Sequence, residues 1–372
     1  MIVNELGKGA ALDALSGRPA ARVPYLLLTW GFDYMWKCAG VAPWKLARGG
    51  FGTWLDAYVA TYERHKPDVI IYDSFGSAAD DPVLIDETFG SWIIRDGGGE
   101  EWEFIKSSFT VVHRPVPGRD YGPPPCWDTR EDIDRSLPEG GFDSGRLKGL
   151  SAVIGAMGEK ALVLPTCTPG YISACYALGF SRAMQMMIDD EDLFFHLADR
   201  YSVNDELRMR QYAEAGAEAV FIADSWASCD ILSPPMVRKF AIPYQKRVVD
   251  AAKAAGLKAI LWNLGDVGPI LADEAELDLD AFAFEQPRKG FNTSVAQVRQ
   301  VFGPNRCLFG NLDSELLLLR NDPNEIRDAV LRQINESGEG APFILSFGSP
   351  IPSDAPESAV DAVVDAVRGF SW

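Results

Sequence analysis

From Gly145 onwards the chain alternates short apolar runs with longer helical stretches, and no other feature limits its fold so tightly. The apolar runs cover residues 161–164, 219–223, 258–261, 281–284, 307–309 and 343–345. Runs this short read as buried strands. Between them lie predicted helices up to residue 157, over 183–215, over 236–255, from Asp322 onwards, and over 357–368. Their ends carry the expected punctuation. Ser233 before Pro234-Pro235 and Asp322 before Pro323-Asn324-Glu325 read as N-caps, and Gly216 and Gly256 as helix stops. Strand–helix units in series need a parallel sheet, because only a helix-length crossover returns the chain to start the next strand in the same direction.

The first 145 residues are less regular. A helical lead-in over 5–20 precedes a strand over 25–29. Residues 30–52 hold Trp30, Phe32, Tyr34, Trp36 and Trp44 among glycines, which suits loops or short helices covering a pocket. A helix over 53–65 is stopped by Pro67, and the strand 68–72 leads to Asp73. Residues 91–94 and 109–113 read as two strands flanking Gly97-Gly98-Gly99, a hairpin-like excursion. A proline-rich run over 115–127 then gives way to a helical stretch. Without a linker-like composition or an internal repeat, residues 1–372 read as one domain, irregular over 1–145 and regular over 146–372.

The net charge of −18 argues against nucleic acid and against an anionic membrane surface, both of which need a basic face. No apolar run approaches the roughly 18 residues of a membrane span. Six scattered cysteines, none in a C-x-x-C pair, and no recognisable signal peptide give the expectation of free thiols in a reducing cytoplasm.

The pentapeptide Trp262-Asn263-Leu264-Gly265-Asp266 follows the run 258–261, where a strand gives way to a loop. In a β/α barrel that end of the strands carries the chemistry. The stretch from Asp224-Ser225-Trp226 through Leu232-Ser233-Pro234, then Phe240-Ala241-Ile242-Pro243-Tyr244-Gln245-Lys246, then Gly256 and the strand, resembles the uroporphyrinogen decarboxylase superfamily. The resemblance implies an α/β fold, a (β/α)8 TIM-type barrel. It also implies one of several activities, since the superfamily holds true decarboxylases, methylcobamide:coenzyme M methyltransferases and corrinoid-dependent demethylating methyltransferases. In the coenzyme M group the pentapeptide reads H-x-C-G-D and supplies zinc ligands, with a further Cys near the C-terminus. Here the matching positions are Trp262, Leu264 and Ser349, none of them a ligand type for zinc, so no metal is expected. True decarboxylases place arginines after the first strand to meet a polyanionic substrate. Residues 28–37 contain none and add Asp33.

An aromatic, carboxylate-bearing mouth remains. Asp224, at the end of a strand, is a catalytic candidate or a partner for loop amides. Glu285, also at a strand end, is a catalytic acid if walled by Trp262, Phe284 and Trp226, and otherwise a solvated loop residue. Asp73 corresponds to the family's catalytic aspartate under a one-residue shift. Trp30, Trp226, Trp262, Asn263, Asn311 and Ser349 are the candidate substrate contacts, with loop capping as the other role open to Asn263 and Asn311.

The expected function is a zinc-independent methyltransferase. It would pass a methyl group from a small, methoxylated aromatic substrate to a corrinoid (a cobalamin) carried on a partner protein. Decarboxylation of a carboxylic acid and non-catalytic binding of a small molecule are the alternatives. The expected partners are a small-molecule substrate and a corrinoid-binding protein, with homodimerisation left open.

Overall fold

The computed structural model describes residues 7–370 except 30–32, 74–79, 109, 123, 138–143 and 289, with the backbone alone for 144–146. Trp30 lies outside the described residues. Eleven strands are described: β1 (Val69–Tyr72), β2 (Val83–Glu87), β3 (Ser91–Arg95), β4 (Glu101–Ile105), β5 (Thr110–Arg114), β6 (Leu162–Cys167), β7 (Ala219–Asp224), β8 (Lys258–Asn263), β9 (Ala281–Phe284), β10 (Cys307–Phe309) and β11 (Phe343–Ile344). They form two sheets.

The larger sheet has seven strands in the order β1-β6-β7-β8-β9-β10-β11, and every pairing is parallel. It curls, with helices packed on its outer face. Its two edges meet the same extended segment: Tyr25 bridges Leu345 beyond β11, and Leu26 bridges Val69 of β1. The amide of Leu26 donates to the Leu345 carbonyl at 2.8 Å, and that of Asp68 to the Tyr25 carbonyl at 3.0 Å. The strand expected over 25–29 is thus limited to these bridges.

Register decides which side chains face inward. Phe221 of β7 touches the rings of Trp262 (centroids 5.6 Å) and of Phe309 on β10 (6.4 Å), two strands beyond β8. Rings on strands that far apart meet only across the concave side. Alternation then sends Asp224 and Asn263, which are register partners, to the outer side under the helices.

The smaller sheet is antiparallel in the order β2-β3-β4-β5. Only two of its strands are legible in the sequence, because β2 is exposed along its whole length and β4 carries two glutamates among its five residues. The Arg48 guanidinium stacks 3.3 Å from the Trp102 ring and docks this sheet. Asp81 adds to the docking by accepting from the Gly50 amide and the Thr53 hydroxyl.

The long helical stretch expected over 183–215 is three helices, Phe180–Asp189, Glu191–Ser202 and Asp205–Glu214, preceded by Gly170–Leu178. The Asp190 carboxylate caps the second by accepting from the Leu193 amide. Asp322 caps its helix as expected. Ser233 does not bond through its side chain: Pro234 and Pro235 have no N–H, and the amide of Met236 goes to the Ser233 carbonyl.

Candidate active site

Because every strand of the large sheet runs the same way, their C-terminal ends lie along one rim. Asp73, Asp224, Asn263, Glu285, Asn311 and Ser349 all stand on that rim, but they do not share a face.

Asp73 follows β1 and is half-buried. It accepts a hydrogen bond from the Thr166 hydroxyl at 3.4 Å. Thr166 is the register partner of inward-facing Phe221, so Asp73 belongs to the concave side. Trp262 also faces that side and donates its indole N–H to the Gly348 carbonyl at 3.3 Å. Gly348 is obligatory, since a Cβ there would lie 2.1 Å from the Gln286 amide nitrogen. This close approach brings Ser349 to Glu285, whose carboxylate accepts from the Ser349 hydroxyl at 3.4 Å.

Glu285 is buried, and its contacts are polar. It accepts from the Gly265 amide at 2.7 Å and pairs with the Arg288 guanidinium, which also bonds Glu315 at 2.7 Å. The aromatic walls expected around it are elsewhere. Phe284 points to the outer side and stacks on Phe282. Trp226 packs edge-on against Tyr176 and Phe180. The cause is alternation: neighbours in a strand face opposite ways. Gly265 holds a left-handed φ of 91°, and a Cβ there would strike the Ser228 and Asp230 side chains at 2.3 Å.

Asp224 is fully buried under the helix Ile242–Ala254 and accepts from the Gln245 amide at 3.0 Å. It does not look into the mouth. Burial pushes its carboxyl up to about 7, against the bonds from Gln245 and the Trp226 backbone. Asn263 lies beside it and donates to the Ala227 carbonyl at 2.8 Å and to Glu274. Glu274 is also fully buried, and desolvation raises its pKa well above the usual carboxylate range. Asn311 donates to the carbonyls of Glu285 and Thr293 and accepts from Gln333, which spends its amide on loop geometry. Sequence reasoning did not single out Glu274 or Gln245. Each sits in an ordinary helix whose pattern gives no sign that one polar position is walled in.

The three positions matching zinc ligands do not fit the ion. Trp262 presents an N–H donor, Leu264 an alkyl chain, and Ser349 a hydroxyl directed at Glu285.

A sequence profile described as "Uroporphyrinogen decarboxylase (URO-D)" matches residues 141–370. The uroporphyrinogen decarboxylase of Gloeobacter violaceus is 24% identical over 97% of each chain. The methylcobamide:CoM methyltransferase MtbA of Methanosarcina mazei is 24% identical over 65% of this chain and 69% of its own. Among solved structures, a methyltransferase from Methanosarcina mazei superposes with a TM-score of 0.71 at 20% identity, covering 98% of both chains. That likeness is one of fold.

Proposed function

The chain belongs to the uroporphyrinogen decarboxylase family, and on that premise we propose that it is a methyltransferase. Its donor is a small methyl ether and its acceptor a corrinoid held by a partner protein, with no zinc required. We read the double bridging of Tyr25–Leu26 as the seam of a (β/α)8 barrel formed by one domain.

The observation that carries the reading is the charge state of the mouth. Among the described residues, Arg288 is paired with Glu285 and Glu315, Arg48 stacks on the Trp102 ring, and Lys37 donates to the Ala355 carbonyl at 2.7 Å. A polyanion needs free cations here, whereas a neutral ether needs only a pocket and a proton source.

Demethylation leaves both electrons of the O–CH3 bond on the substrate oxygen, which then takes a proton to become a hydroxyl. Asp73 is the proposed donor, because it stands half-buried on the concave side. Shared by Glu285 and Glu315, Arg288 cannot neutralise several substrate carboxylates, but a single partial charge developing on that oxygen asks less of it, and Glu285 is proposed to orient it for that contact. Trp262 gives the floor an aromatic surface for an aryl ring. The corrinoid supplies the methyl acceptor. Tyr176 and Phe180, 52% and 49% exposed beside Trp226, offer it an apolar rim. The substrate-contact roles of Trp30 and Ser349 stay within this proposal, whereas Asp224, Asn263 and Asn311 are assigned to positioning.

A second reading, decarboxylation of a smaller acid, is favoured by the full-length match to the Gloeobacter decarboxylase. The purified chain, treated with chelator and verified metal-free by elemental analysis, is mixed with cob(I)alamin and a panel of methoxylated aromatics. Appearance of methylcobalamin supports the proposal. A requirement for added zinc removes its zinc-independent part. Carbon dioxide release from carboxylic acids without methyl transfer selects the second reading, and binding without turnover selects a binding protein.

A further inference from the structure

Four fully buried polar side chains meet behind the rim: Asp224, Gln245, Asn263 and Glu274. One oxygen of each has no hydrogen-bond partner: Asp224 Oδ1, Gln245 Oε1, Asn263 Oδ1 and Glu274 Oε2. The remaining polar atoms are spent. Gln245 Nε2 donates to Asp224 Oδ2, and Asn263 Nδ2 donates to Glu274 Oε1 and to the Ala227 carbonyl. The amide of Asn263 cannot turn round, since its oxygen would then face two acceptors. Asp224 and Asn263 are register partners, and the charge of Asp224 is felt at Glu274, so the two bonded pairs form one cluster.

If both carboxyls were ionised, two negative charges would be offset only by neutral amide donors, those of Gln245, Asn263 and the Trp226 backbone, with four oxygens left unpaired, a costly arrangement in a dry interior. Among the described residues neither carboxyl has an ion-pair partner. The titratable groups facing them are Tyr171, Cys175 and Tyr176 from helix Gly170–Leu178, Cys229 from the loop after β7, and Asp273 from helix Leu271–Ala275. None is a cation. The nearby guanidinium of Arg238 is bound to Asp273.

We propose that Asp224 and Glu274 fold as neutral carboxylic acids, each donating its O–H to an amide oxygen of Gln245 or Asn263, and that these two protons latch the rim. The balance closes: two added donors meet two waiting acceptors. The protons come from solvent, because both groups are ionised in the unfolded chain above about pH 4. The latch joins the ends of β7 and β8, the loop at Ala227, and the helices bearing Gln245 and Glu274. Asn263 lies two residues before Gly265, whose amide holds Glu285. Losing the protons would place two uncompensated charges behind that contact, so the rim is tightest in mild acid and slackens as pH rises through neutrality. The burial-raised carboxyls noted above agree with this direction.

The test uses the full chain and no substrate. In infrared spectra at pH 6 the wild type is expected to show buried protonated-carboxyl C=O absorption. This absorption is lost in the Asp224→Asn, Glu274→Gln double variant, whose amides mimic neutral acids. On unfolding at pH 6 the wild type should release about two more protons than the double variant. Its melting temperature should fall from pH 6 to pH 9 more steeply than the variant's. Absence of the band in the wild type overturns the proposal, even if the variant does not fold. So does an equal proton release, or a melting temperature that rises with added sodium, potassium or calcium in the wild type alone, which would assign the oxygens to a cation.

Discussion

A buried histidine shows how one residue couples this fold to pH. His65 is 1% exposed, with its ring nitrogens near the Tyr34 hydroxyl (3.0 Å) and Asp361 (3.3 Å). Burial, aided by Arg64 and Arg368 and opposed by Asp361, lowers its pKa from 6.5 to about 4. Since the unfolded chain binds the proton more tightly, the His65 contribution is intact above pH 6.5 and is lost as pH falls towards about 4. The loss is on the order of 3 kcal/mol. Denaturant titrations of wild type and His65→Gln across that window should diverge. Parallel curves would mean that the ring is not held neutral. Asp224 works in the opposite direction, its stabilising share fading as pH rises through about 7, so each effect is read only against its own variant. At the rim, Glu285→Gln removes the charge that orients Arg288. We expect kcat/KM for methyl transfer to drop more than about tenfold, the scale of one misplaced charged hydrogen bond. Melting should change little, because Arg288 keeps Glu315. Undiminished turnover would move Glu285 out of the reaction.

At the scale of elements, Trp262 serves both packing and site. It plugs the sheet at β8 against Phe221 and ties β8 to the Gly348 turn. Trp262→Ala should cost about 3–5 kcal/mol by leaving a cavity between strands that cannot close on it. A loss below about 1 kcal/mol in urea unfolding would show that neighbouring side chains refill the space. Gly348 and Gly265 are the backbone counterparts of this plug, since each admits a close approach that a side chain would block. The small antiparallel sheet stands apart from this core and is held to it by Arg48–Trp102 and Asp81.

For the whole molecule, the sign of its charge bears most directly on substrate. A chain of net charge −18 repels a polyanion on approach, although salt weakens the effect. Arg288 at the rim is already shared by two carboxylates, and burial pushes Asp33 up to about 6 with no cationic partner among the described residues. The purified protein should therefore form no coproporphyrinogen from uroporphyrinogen, by chromatography beside a true decarboxylase. Comparable turnover in the two reactions would show that its arginines rearrange to receive carboxylates.

The parallel sheet, its strand order in the chain and the strand-end positions of Asp73, Asp224, Asn263, Glu285 and Asn311 were legible because short apolar runs and capped helices are local patterns. Local signals also gave Asp322 as a cap and Gly256 as a stop. The family signature lay in the continuous stretch from Asp224 to Asp266. Two things were decided only in three dimensions. Whether a rim residue looks into the mouth or under a helix depends on register and alternation at the strand's last residue, so Asp224 and Glu285 look alike in sequence and differ in surroundings. The second is partnership across distance: Glu274 with Asn263, Arg288 with Glu285 and Glu315, and Arg48 with Trp102 are contacts between elements. No local pattern specifies them, because they exist only once the sheet has curled and brought its helices and loops together.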